Sequence, residues 1–347
     1  MLRLGRMRSL ASAAAAATAA AVLSLTTVDS GSNGSLGTPP AALRFNALLR
    51  RAAGTWSAEA QSLDLRLGGG QLVLRPDAWT SWKLVRATAE TPTTKRLVLE
   101  PIADPESGIT VATSTPLEIP PISCVLFRAT PGEPAGEPVV RPYNPISPRY
   151  TNGPLTFLVR QYPDGRMSNL LHDMRPGDTI QLKGPFEQYR FVEKDHANQQ
   201  IVFIAGGTGL TPCLQLIHDL VERQREPEPE KRPSKLTLIF ANNTEMEILL
   251  REELDEMAAS SNGFLDIHYL VREAPLVPGP QLMQGIVSRR YLEERLPPPE
   301  QNPLIFVCGP PGMMELVSGP KTKDKKQGQL AGILRDLGYT ESHVWKL

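Results

Sequence analysis

An unbroken apolar run, Ile201-Val202-Phe203-Ile204-Ala205, runs straight into Gly206-Gly207-Thr208-Gly209 and then Thr211-Pro212, and this junction constrains the fold more than any other stretch. Five apolar residues without alternation fit a strand buried on both faces, as in parallel sheets covered by helices. The small residues after it allow a tight turn. Thr is a good helix N-cap and Pro suits the first helical position. Cys213, Leu214, Leu216, Ile217, Leu220 and Val221 then recur at helical spacing. The same grammar continues with a strand at 236–241, a helix at 247–257 and a strand at 268–271. A strand at 304–308 turns through Gly309-Pro310-Pro311-Gly312 into a short helix, and a helix at 329–337 and a strand at 343–346 close the chain. Alternating βα units predict an open parallel sheet with helices on both faces.

Upstream the grammar is different. Short apolar or alternating runs at 82–87, 95–99, 124–128, 155–160 and 179–182 are separated by turns rich in Gly, Pro and Asp. Many of the 33 prolines cluster between periodic segments. Closely spaced short strands predict an antiparallel barrel or sandwich. The expected organisation is a two-domain β + α/β chain. An all-β domain covers 59–192 and an α/β domain 193–347, with residues 192–200 as the link.

Residues 1–58 stand apart. They hold six arginines, no lysine and one acid, Asp29, among many Ala, Ser and Thr. Arg-rich, Ser-rich, acid-poor composition marks an organellar transit peptide. Residues 10–28 are uncharged and just reach the length of about 20 residues that a bilayer span needs. A mitochondrial presequence with an anchor helix is the first expectation; a cleaved secretory signal and a flexible extension are the alternatives. Net charge is zero, so no global basic field argues for nucleic acid. Cys124, Cys213 and Cys308 are odd in number, far apart and without metal-ligand spacing, so neither a disulfide framework nor a metal site is expected.

Four stretches carry chemistry. In Arg141-Pro142-Tyr143-Asn144-Pro145-Ile146-Ser147 two prolines stiffen the backbone. Even separations predict Arg141, Tyr143 and Ser147 on one face of an extended strand. A guanidinium, a phenol and a hydroxyl on one face suit an aromatic cofactor that carries phosphate; an ordinary edge strand with a proline bulge reads equally well from these residues alone. Gly206 to Gly209, before a helix, lets a ligand approach the backbone and places phosphate at a helix N-terminus, although it lacks the spaced G-x-G-x-x-G pattern. Cys308-Gly309-Pro310-Pro311-Gly312 ends a second strand, at the edge where open α/β sheets bind ligands. Gly165-Arg166-Met167-Ser168 precedes a short helical pattern, with Ser168 as a candidate cap and free N–H groups for a pyrophosphate.

In order along the chain, RPYNPIS, GRMSNLL, GDTIQLKGPF, AGGTGLTP, FANNTEMEILLREEL and CGPPGMM resemble the NADH-cytochrome b5 reductase family, within the ferredoxin-NADP reductase superfamily. The resemblance covers roughly residues 72–347. The ending QGQLAGILRDLGYTESHVWKL is similar to the fungal-type mitochondrial branch, whose members also carry an N-terminal targeting and anchor segment. This resemblance implies FAD on the β domain, NADH on the α/β domain, and cytochrome b5 or a similar haem protein as electron acceptor.

Residue by residue, it implies Arg141 at the flavin phosphate and Tyr143 at the isoalloxazine and ribityl, with Pro142 and Ser147 in the same segment. Asn144 would lie near flavin N5, where the family usually has Thr. Gly165, Arg166, Met167 and Ser168 match the segment around the FAD pyrophosphate. Gly207, Thr208 and Gly209 match the nicotinamide dinucleotide loop. Thr211 matches a threonine near both rings, and Cys308, followed by Gly309 and Pro310, a cysteine close to the nicotinamide. Glu247 matches a carboxylate, usually Asp, tied to preference for NADH. Asn144, Thr211 and Cys308 form the expected catalytic set.

The chain departs from the pattern in other places: Glu187 for Gly, Gly312 for a third proline, Cys213 for Met. The implied reaction, hydride from NADH to flavin N5 and then single electrons outward, needs no acid/base pair, so the five histidines read as structural or surface groups. Arg149, Arg166, Lys183, Arg190 and Lys194 are candidates for a basic docking rim. The alternatives are a reductase module serving a quinone or desaturase chain and a membrane-tethered flavoprotein without turnover.

Overall fold

The computed structural model of the protein describes residues 74–103, 117–129, 138–151, 153–224 and 232–347. The leader and its uncharged run at 10–28 lie outside them. No helix among the described residues is long and apolar enough to cross a membrane.

The first half forms an antiparallel sheet of six strands. In chain order these are β1 (Thr80–Thr91), β2 (Thr94–Pro101), β4 (Ser123–Ala129), β5 (Val139–Tyr143), β7 (Leu155–Arg160) and β8 (Thr179–Glu187). A separate two-residue pair, β3 (Leu117–Glu118) with β6 (Tyr150–Thr151), adds a small flap. The order across the sheet is β5-β4-β8-β1-β2-β7. Beyond β5 the chain reaches the far edge, where Pro145 bridges Phe157 and Ile146 N donates to Thr156 O at 2.8 Å. This contact joins the two edge strands and closes the sheet into a barrel, which removes exposed strand edges. The start of β1 alternates: Thr80, Trp82 and Leu84 point inward while Ser81 and Lys83 face water. Trp82, Phe127 and Phe157 fill the interior with Leu84, Leu97 and Leu99. Burying each such side chain contributes about 1.5–3 kcal/mol. Helix α1 (Arg166–Asp173) packs on the barrel through Met167 and Leu171.

The second half is a parallel sheet of six strands: β9 (Gln200–Gly206), β10 (Lys235–Asn242), β11 (Leu265–Val271), β12 (Leu282–Gln284), β13 (Leu304–Cys308) and β14 (Val344–Lys346). The order is β12-β11-β10-β9-β13-β14. Its helices are α2 (Thr211–Arg223), α3 (Arg251–Ser260), α4 (Arg289–Glu293), α5 (Pro311–Val317) and α6 (Gly332–Asp336). Strand order reverses between β9 and β13, and ligands of such sheets bind at the C-terminal ends of the strands flanking that point. Both glycine turns identified in the sequence leave the sheet there.

Two segments differ from the expected elements. The helix expected from 247 begins at Arg251; Glu245–Glu247 is a single 3₁₀ turn, separated from it by Leu250 at φ 53°. The helix expected at 329–337 is confined to Gly332–Asp336, because Gly332 adopts φ 65° at its start. β12 and α4 were not anticipated; both are short.

Side chains hold the two sheets together directly. Ile122 and Leu158 of the barrel half share a core cluster with β9, β10 and α2. Gln215 on α2 donates to the Ser147 carbonyl at 2.7 Å in a buried bond. Glu90 accepts from Leu250 N, and Arg96 pairs with both Glu90 and Glu253.

Candidate active site

The two glycine turns interlock. Gly209 lies against the Cys308 carbonyl so closely that a Cβ there would overlap it. A Cβ on Gly206 would fall 2.8 Å from Met313 Sδ, and one on Gly309 2.6 Å from Met313 Cε. Gly207 adopts φ 53°, the left-handed region that glycine enters without penalty. At Gly209 the obstacle is backbone, so the sequence needs glycine there for the two strand ends to meet; at Gly206 and Gly309 the nearest atoms belong to the Met313 side chain.

Around this junction the expected residues take definite positions. Thr211 is buried and its hydroxyl donates to Thr208 O at 3.0 Å, so it staples its own loop. Cys308 is half-buried at the strand end, and burial pushes its thiol up to about 12. A neutral thiol of this kind is a compact, weakly polar wall and no nucleophile. Gly309 is half-buried and Pro310 exposed beside it. None of the first-turn residues of α1 is acidic, and its N-terminus has no side-chain cap. Its first backbone N–H groups are therefore available to an anion.

On the barrel, Arg141 and Tyr143 lie two residues apart on β5. Arg141 and Pro142 are exposed, and Arg141 Nη1 donates to Val140 O at 2.7 Å, leaving the rest of the guanidinium toward solvent. Tyr143 is half-buried, edge-on to Phe127 at 4.9 Å between ring centroids, and burial raises its phenol to about 12.

Four expectations need correction. Ser147 does not share the face of Arg141 and Tyr143: β5 ends at Tyr143, the chain turns inward, and the buried Ser147 hydroxyl accepts from Thr156 N at 2.7 Å. Asn144 does not present its amide N–H groups; Nδ2 donates to Ser123 O at 2.8 Å and to Gln188 Oε1 at 2.7 Å. Gly165 is the N-cap of α1; Ser168 folds back, donating to Gly165 O and accepting from Tyr162 N, while Met167 points into the barrel core and Arg166 alone is exposed. Arg149, one of the expected docking-rim cations, is engaged by Glu118 at 2.8 Å and Asp219 at 3.4 Å.

Glu247 lies in the 3₁₀ turn that follows β10. It accepts from Arg160 Nη2 at 3.0 Å and from the Thr93 hydroxyl at 3.2 Å, and its Oε2 is buried without a hydrogen-bond partner among the described residues. Arg160 also sits 3.5 Å from the position of a Cβ on Gly207. Sequence reasoning missed Arg160, Thr93 and Gln188. Arg160 carried one signal, a basic residue ending the apolar strand LTFLVR.

These residues fit the two groups that the sequence resemblance implied. An uncapped, acid-free helix N-terminus over a Gly165 whose Cβ would meet Ser168 Oγ suits a pyrophosphate. The orphan Glu247 Oε2 suits a ribose hydroxyl donor, since a buried acceptor without a donor costs about 1–3 kcal/mol.

Comparison with known proteins agrees. Residues 111–191 match the oxidoreductase FAD-binding domain family and residues 203–319 the oxidoreductase NAD-binding domain family. The chain is 35% identical over 271 residues to NADH-cytochrome b5 reductase 2 of Debaryomyces hansenii, covering 78% of this chain and 83% of that protein. It is 36% identical over 285 residues to an NADH-cytochrome b5 reductase-like protein of Arabidopsis thaliana, covering 80% and 79%. In fold it is similar to the cytochrome b5 reductase domain of Ulva prolifera nitrate reductase, with a TM-score of 0.63 and 24% identity, covering 80% of this chain and 100% of that domain.

Proposed function

The chain belongs to the NADH-cytochrome b5 reductase family of the ferredoxin-NADP reductase superfamily, and on that premise we propose that this FAD- and NADH-dependent oxidoreductase hands electrons, one at a time, to cytochrome b5 or a similar haem protein. The observation that carries the reading is the junction at the strand-order reversal, where the Gly206–Gly209 turn and the Cys308 turn meet beside the barrel. FAD supplies the chemistry that no side chain here offers, acceptance of a hydride from NADH and its release as single electrons.

The side chains bind, orient and exclude water. Arg141 and the N-terminus of α1 would hold the flavin phosphates, and Tyr143 would lie against the flavin as a neutral phenol. Gly207, Thr208 and Gly209 would admit the NADH phosphates to the backbone. Thr211 keeps that turn shut on itself through its bond to Thr208 O. Cys308 would bound the nicotinamide pocket with an uncharged thiol. Glu247 would accept from the adenosine ribose with its free oxygen, and its charge would repel a 2′-phosphate. Asn144 acts at one remove, fixing Ser123 and Gln188 behind the β5 motif. The Arg-rich, acid-poor leader supports delivery to the mitochondrion, outer membrane or intermembrane space, with the 10–28 run as its anchor; the alternative destination is the ER membrane.

The test is anaerobic titration of the purified yellow protein. NADH should bleach the flavin at a far lower concentration than NADPH, and the reduced protein should then reduce cytochrome b5. Bleaching with transfer to a quinone alone would replace the proposed acceptor; a yellow protein inert to both nucleotides would overturn the reading. Organelle fractionation of the tagged chain checks the leader.

A further inference from the structure

Between the end of β8 and β14 lies a cleft of about 440 Å3, lined by Glu187, Gln188, Lys321, Lys325, Lys326 and Trp345 among others. Its outer wall is a lysine turn, Lys321-Thr322-Lys323-Asp324-Lys325-Lys326, with four cations against one acid. The turn is built, not loose. Thr322 N donates to Lys326 O and Lys325 N to Thr322 O. At its base the buried Lys346 ammonium donates to the carbonyls of Pro320, Gly328 and Gln329, and Gln327 bonds both backbone groups of Lys346. The lysines are therefore held out by a framework whose own charge is already satisfied by carbonyl dipoles.

Lys326 pairs with Asp324 at 2.8 Å. Lys321 is only half-exposed, and neither its ammonium nor that of Lys325 has an ion-pair or hydrogen-bond partner among the described residues. Half-burying a cation without a counter-charge is unfavourable, and here burial lowers the Lys321 pKa. A carboxylate arriving from outside would relieve this.

Position gives the cleft a use. Its Gln188 accepts from Asn144, next to Tyr143, and the Gln188 carbonyl accepts from Trp345 Nε1. The Lys321 charge is felt at the thiols of both Cys124, on the barrel, and Cys308, at the glycine junction. Resting on the proposed acceptor, we propose that this lysine-lined cleft, rather than the Arg149 side of the barrel, is the docking surface for the electron acceptor, and that the acceptor is a haem protein presenting a cluster of carboxylates. With zero net charge on the chain, attraction comes from this local field and is screened by salt. Transfer across the contact moves one electron from the reduced enzyme to a ferric haem, which becomes ferrous.

The experiment uses the full-length holoenzyme with Lys325→Glu and Lys326→Glu combined, both at exposed positions, and separately Lys321→Gln. Cytochrome b5 is the acidic acceptor and menadione, a neutral quinone, the control. The double variant should reduce cytochrome b5 about tenfold more slowly at low salt and lose the fall in rate with added salt. Lys321→Gln should slow it in the same direction. Flavin bleaching by NADH and menadione turnover should stay at wild-type rates. Unchanged cytochrome b5 rates and salt dependence in a wild type that does reduce cytochrome b5 would overturn the docking surface alone. A wild type that bleaches with NADH but leaves cytochrome b5 oxidised would overturn the acceptor reading and the surface with it.

Discussion

Arg160, at the end of a barrel strand, donates to Glu247, in the turn after β10 of the parallel sheet, at 3.0 Å, while the second Glu247 oxygen is buried with no partner among the described residues. One carboxylate thus ties the two halves together and keeps an acceptor in reserve at the edge where a dinucleotide would lie. Removing its charge as Glu247→Gln should relax cofactor choice. The NADPH-supported kcat/KM should rise about tenfold, on the order of 1.4 kcal/mol, because a like charge no longer opposes the 2′-phosphate and Arg160 is freed to meet it. Steady-state rates with both nucleotides check this; an unchanged ratio would separate Glu247 from nucleotide choice.

Gly209→Ala forces a Cβ into the Cys308 carbonyl. The obstacle is backbone, so it cannot rotate away, and the expected loss is about 3 kcal/mol of stability. Thermal unfolding should show a lower Tm, and KM for NADH should rise as the two turns separate. Gly312→Ala is the control, since nothing lies within 4 Å of its added Cβ.

Arg141→Ala removes an exposed guanidinium whose one bond among the described residues is to Val140 O. The fold should persist. FAD should dissociate about 10- to 100-fold more readily, the worth of a charge-assisted phosphate contact. Retention of flavin on gel filtration in dilute buffer measures it, and full retention would take Arg141 out of the phosphate site.

Asn144→Thr leaves Ser123 O and Gln188 Oε1 without their shared donor. Flavin should stay bound and hydride transfer change only modestly, with a stability loss of about 1–2 kcal/mol. Stopped-flow bleaching and denaturant titration together check it; release of the flavin would show that residue 144 contacts the cofactor itself.

His218 titrates at about 4 in the folded protein, because burial opposes its charged form more than Glu253 supports it. Its folded pKa lies below the unfolded value of 6.5, so the unfolded chain takes up the proton first as pH falls. Stability should be unaffected by this residue above pH 6.5 and should drop between pH 6.5 and about 4, by up to about 2–3 kcal/mol. His218→Gln should flatten that part of the stability curve; a variant with the wild-type slope would assign the acid sensitivity elsewhere.

Several features were legible without coordinates. The 201–205 run becomes β9, wholly buried between two layers, because an unbroken apolar strand has no face to give to water. Thr211-Pro212 does open α2, but Thr211 is its first helical residue rather than its cap; Leu210 is the N-cap and the Thr211 hydroxyl turns back to Thr208 O. Of the glycines after the 201–205 run, Gly209 marks a close approach, since a side chain there would leave no room for the Cys308 backbone, and Gly207 a left-handed turn. Less was legible where polar side chains had several possible partners. Ser147, Ser168 and Asn144 looked available to a ligand; each is bonded to a neighbouring segment. Which partner a hydroxyl or amide finds depends on chain returning from far away, and period-2 spacing says nothing once β5 has ended.

The sequence by itself determined the two kinds of sheet and the strand ends that carry the glycine turns, because apolar periodicity and small residues at turns are local properties of the chain; the family, with its FAD and NADH, came from the resemblance of six motifs in their order along the chain. Only the tertiary structure decided that the two turns interlock through Gly209 and Cys308, that Arg160 reaches Glu247 across 87 positions, and that the Lys321 charge, unpaired among the described residues, comes near enough to act on both Cys124 and Cys308. These are contacts between distant segments, created when β13 takes its place next to β9 and the barrel packs on α2, and no local pattern encodes which charges then meet.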